Sequence, residues 1–453
     1  MATTYLSKNL PANQNSLHKW TYSGWVKRCD LGAEIYMFNF YDDANNRGGF
    51  RFNTDDTLLY YDRVGGSTVC NKVTNRKFRD TSAWYHVMVA VDKSVSSPDT
   101  KIYVNGVEET SFSTDTDYTQ NQSTKINDND NLYINSYDGS SDIKSQIQSH
   151  VHWVSGYALT PATFGSTDAT TGEWKINTSP SVTYGTNGFF ILKDGNSVTD
   201  QSGNSNNFTV GAGTLTNTED CPSNVFATMN SLLPSADALV DHANGMSNGN
   251  LHNGDQSPNN WNAIGATMGA STGKFYWEFK IEGVWGNTSQ TSHRHGIANL
   301  NTKLNNNRSS AGDVAWTDDT YAIGYQNSNG VRYNNSVTMT SEFGTYVAND
   351  ILMFAMDLTN LKLYFGKNGT WLNSGDPTSG STGTGAYSIP VAGIWCPYSE
   401  TKYGSDKVSW NIGNGVFKVT AISSEGTNAS GIGKFEYDVP SGYTALSTKG
   451  LNL

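Results

Sequence analysis

Charge is scarce in this chain. Only 16% of its 453 residues are charged, the formal net charge is −11, and Lys and Arg never cluster. A nucleic-acid partner is therefore not expected, because phosphate binding draws on concentrated positive charge. Long apolar runs are missing as well. No stretch is long enough to cross a bilayer, and the opening MATTYLSKNLPANQ has no apolar signal core. Neither membrane insertion nor export by a general secretion signal is expected. Cysteine is rare: Cys29, Cys70, Cys221 and Cys396 are widely spaced and form no C-x-x-C pair. They read as reduced thiols, and a Cys29–Cys70 bridge has no support in the spacing. Nucleophile elbows of the G-x-S-x-G type and phosphate loops are also lacking.

What is abundant points to β-structure. Aromatic residues make up 12% of the chain and there are 45 glycines, with Asn, Ser and Thr plentiful. Too many aromatics are present for a disordered chain. The stretch Asn349 to Trp371, NDILMFAMDLTNLKLYFGKNGTW, organises the rest. Ile351 to Leu358 is apolar on both alternations until Asp357, which suits a strand buried on both sides. A two-residue turn at Thr359-Asn360 should follow. Leu361, Leu363 and Phe365 then share one face, and Lys362 and Tyr364 the other. Asn368-Gly369 signals a tight turn, since both residues tolerate positive φ.

The same unit occurs earlier. His86 to Val91 is a second doubly apolar strand, closed by Asp92, and Lys101-Ile102-Tyr103-Val104 leads into Asn105-Gly106. KIYVNG and KLYFGKNG are near copies, so the expected fold is all-β. It comprises two related antiparallel β-sandwiches, of the concanavalin-like (jelly-roll) kind by the resemblances that follow, joined by an irregular β-rich connector. The expected boundaries are 1–165 for the first sandwich, 166–235 for the connector, 236–417 for the second and 418–453 for a C-terminal docking segment. Within Gly273 to Ile281, GKFYWEFKI, the alternation turns Phe275, Trp277, Phe279 and Ile281 inward. Lys274, Tyr276, Glu278 and Lys280 are expected to face out. Thr160-Pro161 suits the start of one helical turn.

The second half resembles the SPRY family through GKFYWEFKI, YAIGY (Tyr321–Tyr325), DILMFAMDLTNLKLYFGKNGTW (Asp350–Trp371) and SIPVAGI (Ser388–Ile394). That resemblance implies a concanavalin-like sandwich whose edge loops bind ligands without catalysis; it does not name the ligand. The first half is similar to laminin-G/concanavalin-like domains through WTYSGWVKR, WYHVMVAVD and TKIYVNGVEE. The whole arrangement looks like structural proteins of marine tailed bacteriophages. There such a domain is followed by YALTPATFG, TGEW, YGTNGFF, DQSGNSNNFT and CPSNVFATMN, with an ending like FEYDVPSGYTALSTKGLNL. Lys144 to Val151, KSQIQSHV, is more polar than the usual strand at that place. The resemblance implies a virion protein, synthesised and assembled in the bacterial host cytoplasm. Its implied partners are other virion proteins and a host surface glycan or protein. A homo-oligomer, most simply a trimer, is expected, because 418–453 has too few apolar residues for its own core but enough to dock elsewhere. Tail fibres usually carry a repetitive shaft, which this chain lacks. That favours a knob, a decoration protein or a compact fibre subunit.

Candidate chemistry is sparse. His150/His152 and His293/His295 stand at strand spacing, which places each pair on one face. No Cys or carboxylate in the same short stretch completes a metal shell. A calcium ion would need loop oxygens, for which Asp42, Asp43 and the run Asn127-Asp128-Asn129-Asp130 are the candidates; otherwise no cofactor is expected. Concanavalin-like sandwiches can host glycosidases, but the E-x-D-x-x-E strand signature is absent. Glu436-Tyr437-Asp438 begins like it, and Ser441 occupies the third acidic position. An enzyme is not expected, and a polysaccharide-degrading activity is the weakest of the readings. Trp285, Trp316 and Tyr333, beside Gly/Asn/Asp-rich stretches, are the candidate ligand-binding residues, because aromatic rings there can stack on sugar faces.

Overall fold

The structure is a computed structural model of the chain. It describes residues 4–10, 18–128, 130–193, 197–231, 246–254, 262–284, 293–300, 322–327, 332–334, 337–339, 344–401 and 404–453, with residues 262, 263, 293, 332–334 and 337–339 as backbone only. Two compact units divide between Asn217 and Thr218. Among the described residues, helix is limited to four short 3-10 turns, one of them at Pro161–Thr163 as the Thr160-Pro161 step suggests.

In the first unit the strands are β1 (Tyr5–Asn9), β2 (Lys19–Arg28), β3 (Ile35–Asp43), β4 (Asn46–Phe52), β5 (Thr57–Val64), β6 (Ser67–Lys77), β7 (Trp84–Asp92), β8 (Lys101–Val104), β9 (Val107–Glu108), β10 (Phe112–Thr116), β11 (Asn131–Ile134), β12 (Gln146–Ser155), β13 (Gly165–Thr167), β14 (Trp174–Ile176), β15 (Phe189–Ile191) and β16 (Thr209–Ala212). An eight-stranded sheet runs β10-β6-β5-β4-β3-β11-β1-β16, and a six-stranded sheet runs β15-β12-β2-β7-β8-β9. Trp20, Tyr22, Val87, Val89 and Trp153 of the six-stranded sheet share one core with Phe38, Phe40, Phe50, Phe52 and Tyr60 of the eight-stranded sheet. Two inner faces interdigitating in this way define a sandwich.

The second unit repeats the plan with β17 (Met246–Ser247), β18 (His252–Asn253), β19 (Asn262–Gly265), β20 (Lys274–Gly283), β21 (His293–Asn299), β22 (Ala322–Gln326), β23 (Arg332–Asn334), β24 (Val337–Met339), β25 (Ile351–Asp357), β26 (Lys362–Lys367), β27 (Thr370–Trp371), β28 (Tyr387–Ser388), β29 (Trp395–Thr401), β30 (Lys407–Asn411), β31 (Val416–Phe417) and β32 (Thr420–Ala421). One sheet is ordered β17-β18-β30-β20-β25-β26-β27 with β28 beside β26, and the other β19-β29-β21-β22-β23-β24. Leu352, Phe354 and Met356 of β25 enter the inter-sheet core with Trp277, Phe279, Trp395 and Trp410.

The Asn-Gly steps behave as their chemistry requires. Asn105-Gly106 joins β8 to β9 with φ of 50° and 78°, and Asn368-Gly369 joins β26 to β27 with φ of 49° and 81°. Both are the left-handed pairs that match the twist of two strands. The turn at Thr359-Asn360 differs from expectation. Four residues, Leu358 to Leu361, link β25 to β26, and Leu361 takes a φ of 54°. Asp357 accounts for the extra length, since its carboxylate accepts from Asn360 N and Asn360 Nδ2 at 2.9 and 2.8 Å.

The stretch 166–235 does not stand between the units as a separate connector. Phe189–Ile191 pairs with β12 and Thr209–Ala212 pairs with β1, so both extend sheets of the first unit. Phe226, Ala227 and Met229 enter cores of the second. Short apolar triplets between Gly/Asn turns are what an open sheet edge can accept.

The larger correction concerns outward faces. Tyr276 and Glu278, expected to face out, are buried, and so is Tyr364 on the face of β26 opposite Leu363 and Phe365. The segment from Phe435 to Ala445 lies over their face of the sheet, where Phe435, Val439, Tyr443 and Ala445 pack with Tyr276, Met353, Ala355 and Tyr364. Phe435, Val439, Tyr443 and Ala445 of 418–453 are thus used inside their own chain, so their apolar character by itself does not argue for a trimer. The first unit has the same device. Phe164 and Tyr184 cover Met88, Ala90, Val154 and Phe190 on the outer face of the six-stranded sheet.

A candidate ligand-binding groove

The outer face of the eight-stranded sheet in the first unit holds a groove of about 220 Å³ lined by Tyr36, Arg47, Arg51, Leu59, Tyr61, Arg63, Thr68, Asn71 and Tyr137. Strand alternation places most of these residues. Along β4, Phe50 and Phe52 go to the core, which turns Arg47, Gly49 and Arg51 the other way. Along β5, Leu58 and Tyr60 go in, so Leu59, Tyr61 and Arg63 go out. The register assembles rows across the strands: Tyr36–Arg51–Leu59, Asn39–Gly49–Tyr61–Asn71, and Tyr41–Arg47–Arg63–Thr68. Gly49 sits at the centre and keeps the floor low. A Cβ there would lie 2.4 Å from Asn39 Oδ1 and 2.8 Å from the Phe38 carbonyl oxygen.

The walls are held by their own contacts. Tyr61 OH donates to Asn39 Oδ1 at 2.8 Å, and Asn39 Nδ2 donates to the Tyr137 carbonyl at 2.5 Å. Arg51 is ion-paired with Glu34 and donates to Tyr36 OH at 2.5 Å. Its guanidinium lies 5.2 Å from the Tyr36 ring centre, and that of Arg47 lies 5.4 Å from the Tyr137 ring centre. Burial pushes the Tyr36 and Tyr61 phenols well above their usual range, so both remain protonated hydrogen-bond donors. Guanidinium forks, phenol hydroxyls, an amide and aromatic faces suit recognition of a polar ring. Among the described residues no carboxylate lines the groove, so they supply no acid–base pair of a glycosidase there.

The residues singled out from sequence fall elsewhere. Trp285 and Trp316 lie outside the described residues, and Tyr333 is described only as backbone in β23. His150 and His152 do not present two imidazoles on one face. The register shifts between Ser149 and His152, and His150 has a φ of 49°. His152 stacks on Phe190 with ring centres 3.9 Å apart, and its Nδ1 lies 2.8 Å from Tyr184 OH. His295 is buried with Nδ1 3.0 Å from Ser399 Oγ, while the His293 side chain lies outside the described part.

Three of the oxygen candidates for calcium gather around a lysine instead. The Lys125 ammonium stands 3.5, 3.9 and 3.6 Å from Asp42, Asp128 and Asp130. Asp43 closes a turn by accepting from Asn45 N, and Asn127 bonds Ser155 and Trp153 in the interior. Asn129 is outside the described residues. Among the described residues no three His, Cys, Asp or Glu side chains are grouped to hold a metal. None of the four cysteines is in a disulfide.

The groove escaped sequence reading because its residues come from four strands and a loop. One signal was there: Arg-x-Gly-x-Arg in β4, with both arginines on the face opposite two core phenylalanines.

Residues 3–163 match the family model described as the concanavalin A-like lectin/glucanases superfamily. No curated protein matches the chain by sequence. Among solved structures, the SPRY domain of human HERC1 is similar at 17% identity, over 34% of this chain and 84% of that one, with a TM-score of 0.26. A native heptameric SAP-like pentraxin from Limulus polyphemus is similar at 14% identity, over 47% and 91%, with a TM-score of 0.30. Domain 4 of AbnA, a GH43 extracellular arabinanase from Geobacillus stearothermophilus in complex with arabinotriose, is similar at 20% identity, over 34% and 66%, with a TM-score of 0.26. Every groove residue lies inside the matched span, and residues 3–163 are a concanavalin-like domain.

Proposed function

We propose that this chain is a binding protein of a phage virion, and that the groove of its first unit takes a saccharide of the host surface. The observation that carries the reading is the groove itself: three tyrosines, three arginines and an amide on an uncovered face of a concanavalin-like domain. Tyr and Arg dominate the energetics of binding sites because they combine large contact area with polar tips. The virion setting rests on the motif order shared with phage structural proteins. A tail fibre, spike or knob displaying several copies, as in a trimer, would turn a weak single site into firm attachment through effective concentration. The role is binding without catalysis, which the carboxylate-free lining supports. Assembly in the host cytoplasm agrees with four cysteines outside any disulfide.

The test is adsorption of the purified full chain to host cells and to immobilised host polysaccharide. Tyr61→Ala and Tyr137→Ala should each weaken binding about tenfold, equivalent to about 1.4 kcal/mol. A wild-type chain that binds neither surface, while particles lacking it become fragile, would replace this reading with an architectural decoration role on capsid or tail. Release of reducing ends from the polysaccharide would instead make it an enzyme.

A further inference from the structure

We propose that the groove selects a saccharide carrying an anionic oxygen group, seated between Arg47 and Arg63. The inference rests on the saccharide-binding reading and specifies its ligand. Arg47 and Arg63 are direct cross-strand partners on β4 and β5. Like charges placed opposite each other in an antiparallel pair repel. A protein normally relieves such a pair with a neighbouring carboxylate, and this chain has acids in excess, 41 Asp and Glu against 30 Lys and Arg. It does so for Arg51, paired with Glu34, and for Arg28, whose Nη2 lies 3.0 Å from Asp56. Among the described residues neither Arg47 nor Arg63 has a carboxylate within ion-pair distance. Arg63 donates its Nε to the Gly66 carbonyl at 3.0 Å, and Arg47 donates to the Ala44 carbonyl. These neutral acceptors orient the two guanidinium groups without cancelling their charge.

An oxyanion is the group that such a pair lacks. Guanidinium forks bind carboxylate and sulfate oxygens through paired N–H donors, which adds direction to attraction. Thr68, in the same row beyond Arg63, and Asn71, in the next row beyond Tyr61, offer a hydroxyl and an amide for ring hydroxyls. Tyr36, Tyr61 and Tyr137 line the same space. The small volume suits one sugar ring, so a single acidic residue within a longer glycan is what the groove reads. Uronic acids and sulfate esters both supply the anionic oxygens.

The experiment is calorimetric titration of the full chain with three sets of length-matched oligosaccharides: uronate-bearing, sulfated and neutral. The expected result is at least about tenfold tighter binding to one anionic set than to the neutral set. Affinity should fall as salt is raised toward about 1 M, where screening is strong. Arg63→Ala and Arg47→Ala should each abolish the anionic preference, whereas Tyr61→Ala should weaken all sets alike. Arg63→Lys, which keeps the charge and loses the fork, should retain part of the preference and so separates folding failure from lost recognition. Preference for the uronate set or for the sulfated set identifies the anionic group, and either supports the proposal. Equal binding of neutral and anionic sets overturns it and leaves the saccharide reading standing. No binding to any set overturns both.

Discussion

Replacing Glu278 with alanine is expected to detach the C-terminal cover of the second unit and to lower its stability by about 3 kcal/mol. The carboxylate is fully buried and has four donors. Its Oε1 accepts from Tyr276 OH at 2.9 Å and from Tyr437 N at 2.8 Å. Its Oε2 accepts from Glu436 N at 2.9 Å and from Asn411 Nδ2 at 3.3 Å. Burial pushes its carboxyl up to about 7, and the four donors restrain the rise. Alanine would leave two backbone N–H groups and the Tyr276 hydroxyl without an acceptor, each costing about 1–3 kcal/mol unless water enters, while Asn411 Nδ2 would keep the Lys434 carbonyl at 2.9 Å. Water entry is what would loosen the Phe435–Ala445 segment, so part of the cost appears as local opening. Glu278→Gln keeps the shape but sets an NH2 group against donors, and its loss should be nearly as large. The check is the urea midpoint of the full chain, together with the rate of proteolytic cleavage between residues 425 and 445. Unchanged midpoint and cleavage in Glu278→Ala would show that ring packing alone holds the cover, since Phe435 and Tyr276 meet edge to face at 4.9 Å.

Acid should weaken the first unit well before its exposed carboxylates titrate. His86 and His152 are buried under the cover around Phe164 and Tyr184. Burial depresses His86 to about 3, and holds His152 well below the ordinary imidazole value of 6.5. A group whose folded pKa is depressed contributes stability that is complete above its unfolded pKa. That contribution is lost as pH falls from 6.5 toward the folded value. Each histidine therefore removes about 1.4 kcal/mol per pH unit in this window, or about 2 kcal/mol each by pH 5. Asp62 acts in the opposite sense. Burial lifts it to about 6, so folding takes up a proton there between about pH 6 and 3.8 and regains about 1 kcal/mol by pH 5. The histidines win, and a net loss of about 3 kcal/mol is expected between pH 7.5 and 5. Urea midpoints of the first unit's transition at the two values measure it. The double variant His86→Gln, His152→Gln should start less stable and then rise slightly on acidification, because Asp62 and Asp130, whose carboxyls burial raises, remain. A wild-type midpoint that does not move would show that the two rings take up protons in the fold as readily as in the unfolded chain.

Both results concern residues whose environment was only half legible. Alternation in GKFYWEFKI correctly turned Phe275, Trp277, Phe279 and Ile281 to the inter-sheet core. It also set Tyr276 and Glu278 outward, toward what local pattern treats as water. The doubly apolar run at Ile351–Asp357 held the missing clue. Met353 and Ala355 face away from the inter-sheet core, and an apolar row there requires a cover. If that face of β25 is covered, the adjacent rows of β20 and β26 are covered with it. The same holds for β7, where His86, Met88 and Ala90 share the outer face. The spacing of His150 and His152 misled because a bulge changes which face a residue joins.

The period of two, the Asn-Gly pairs and the paired apolar strands were enough to establish an all-β chain with two related sandwiches, since these are local properties of backbone and side-chain direction. Which sheet faces stay open was decided only in three dimensions. The covers, around Phe164 and Tyr184 in one unit and Phe435–Ala445 in the other, have side chains that acquire a role from the distant strands they meet. The groove exists because, among the described residues, no such cover lies over β3 to β6 at Arg47, Arg51 and Tyr61. Its opposed Arg47–Arg63 pair follows from a strand register, which sets neighbours across sequence and leaves no mark in either strand alone.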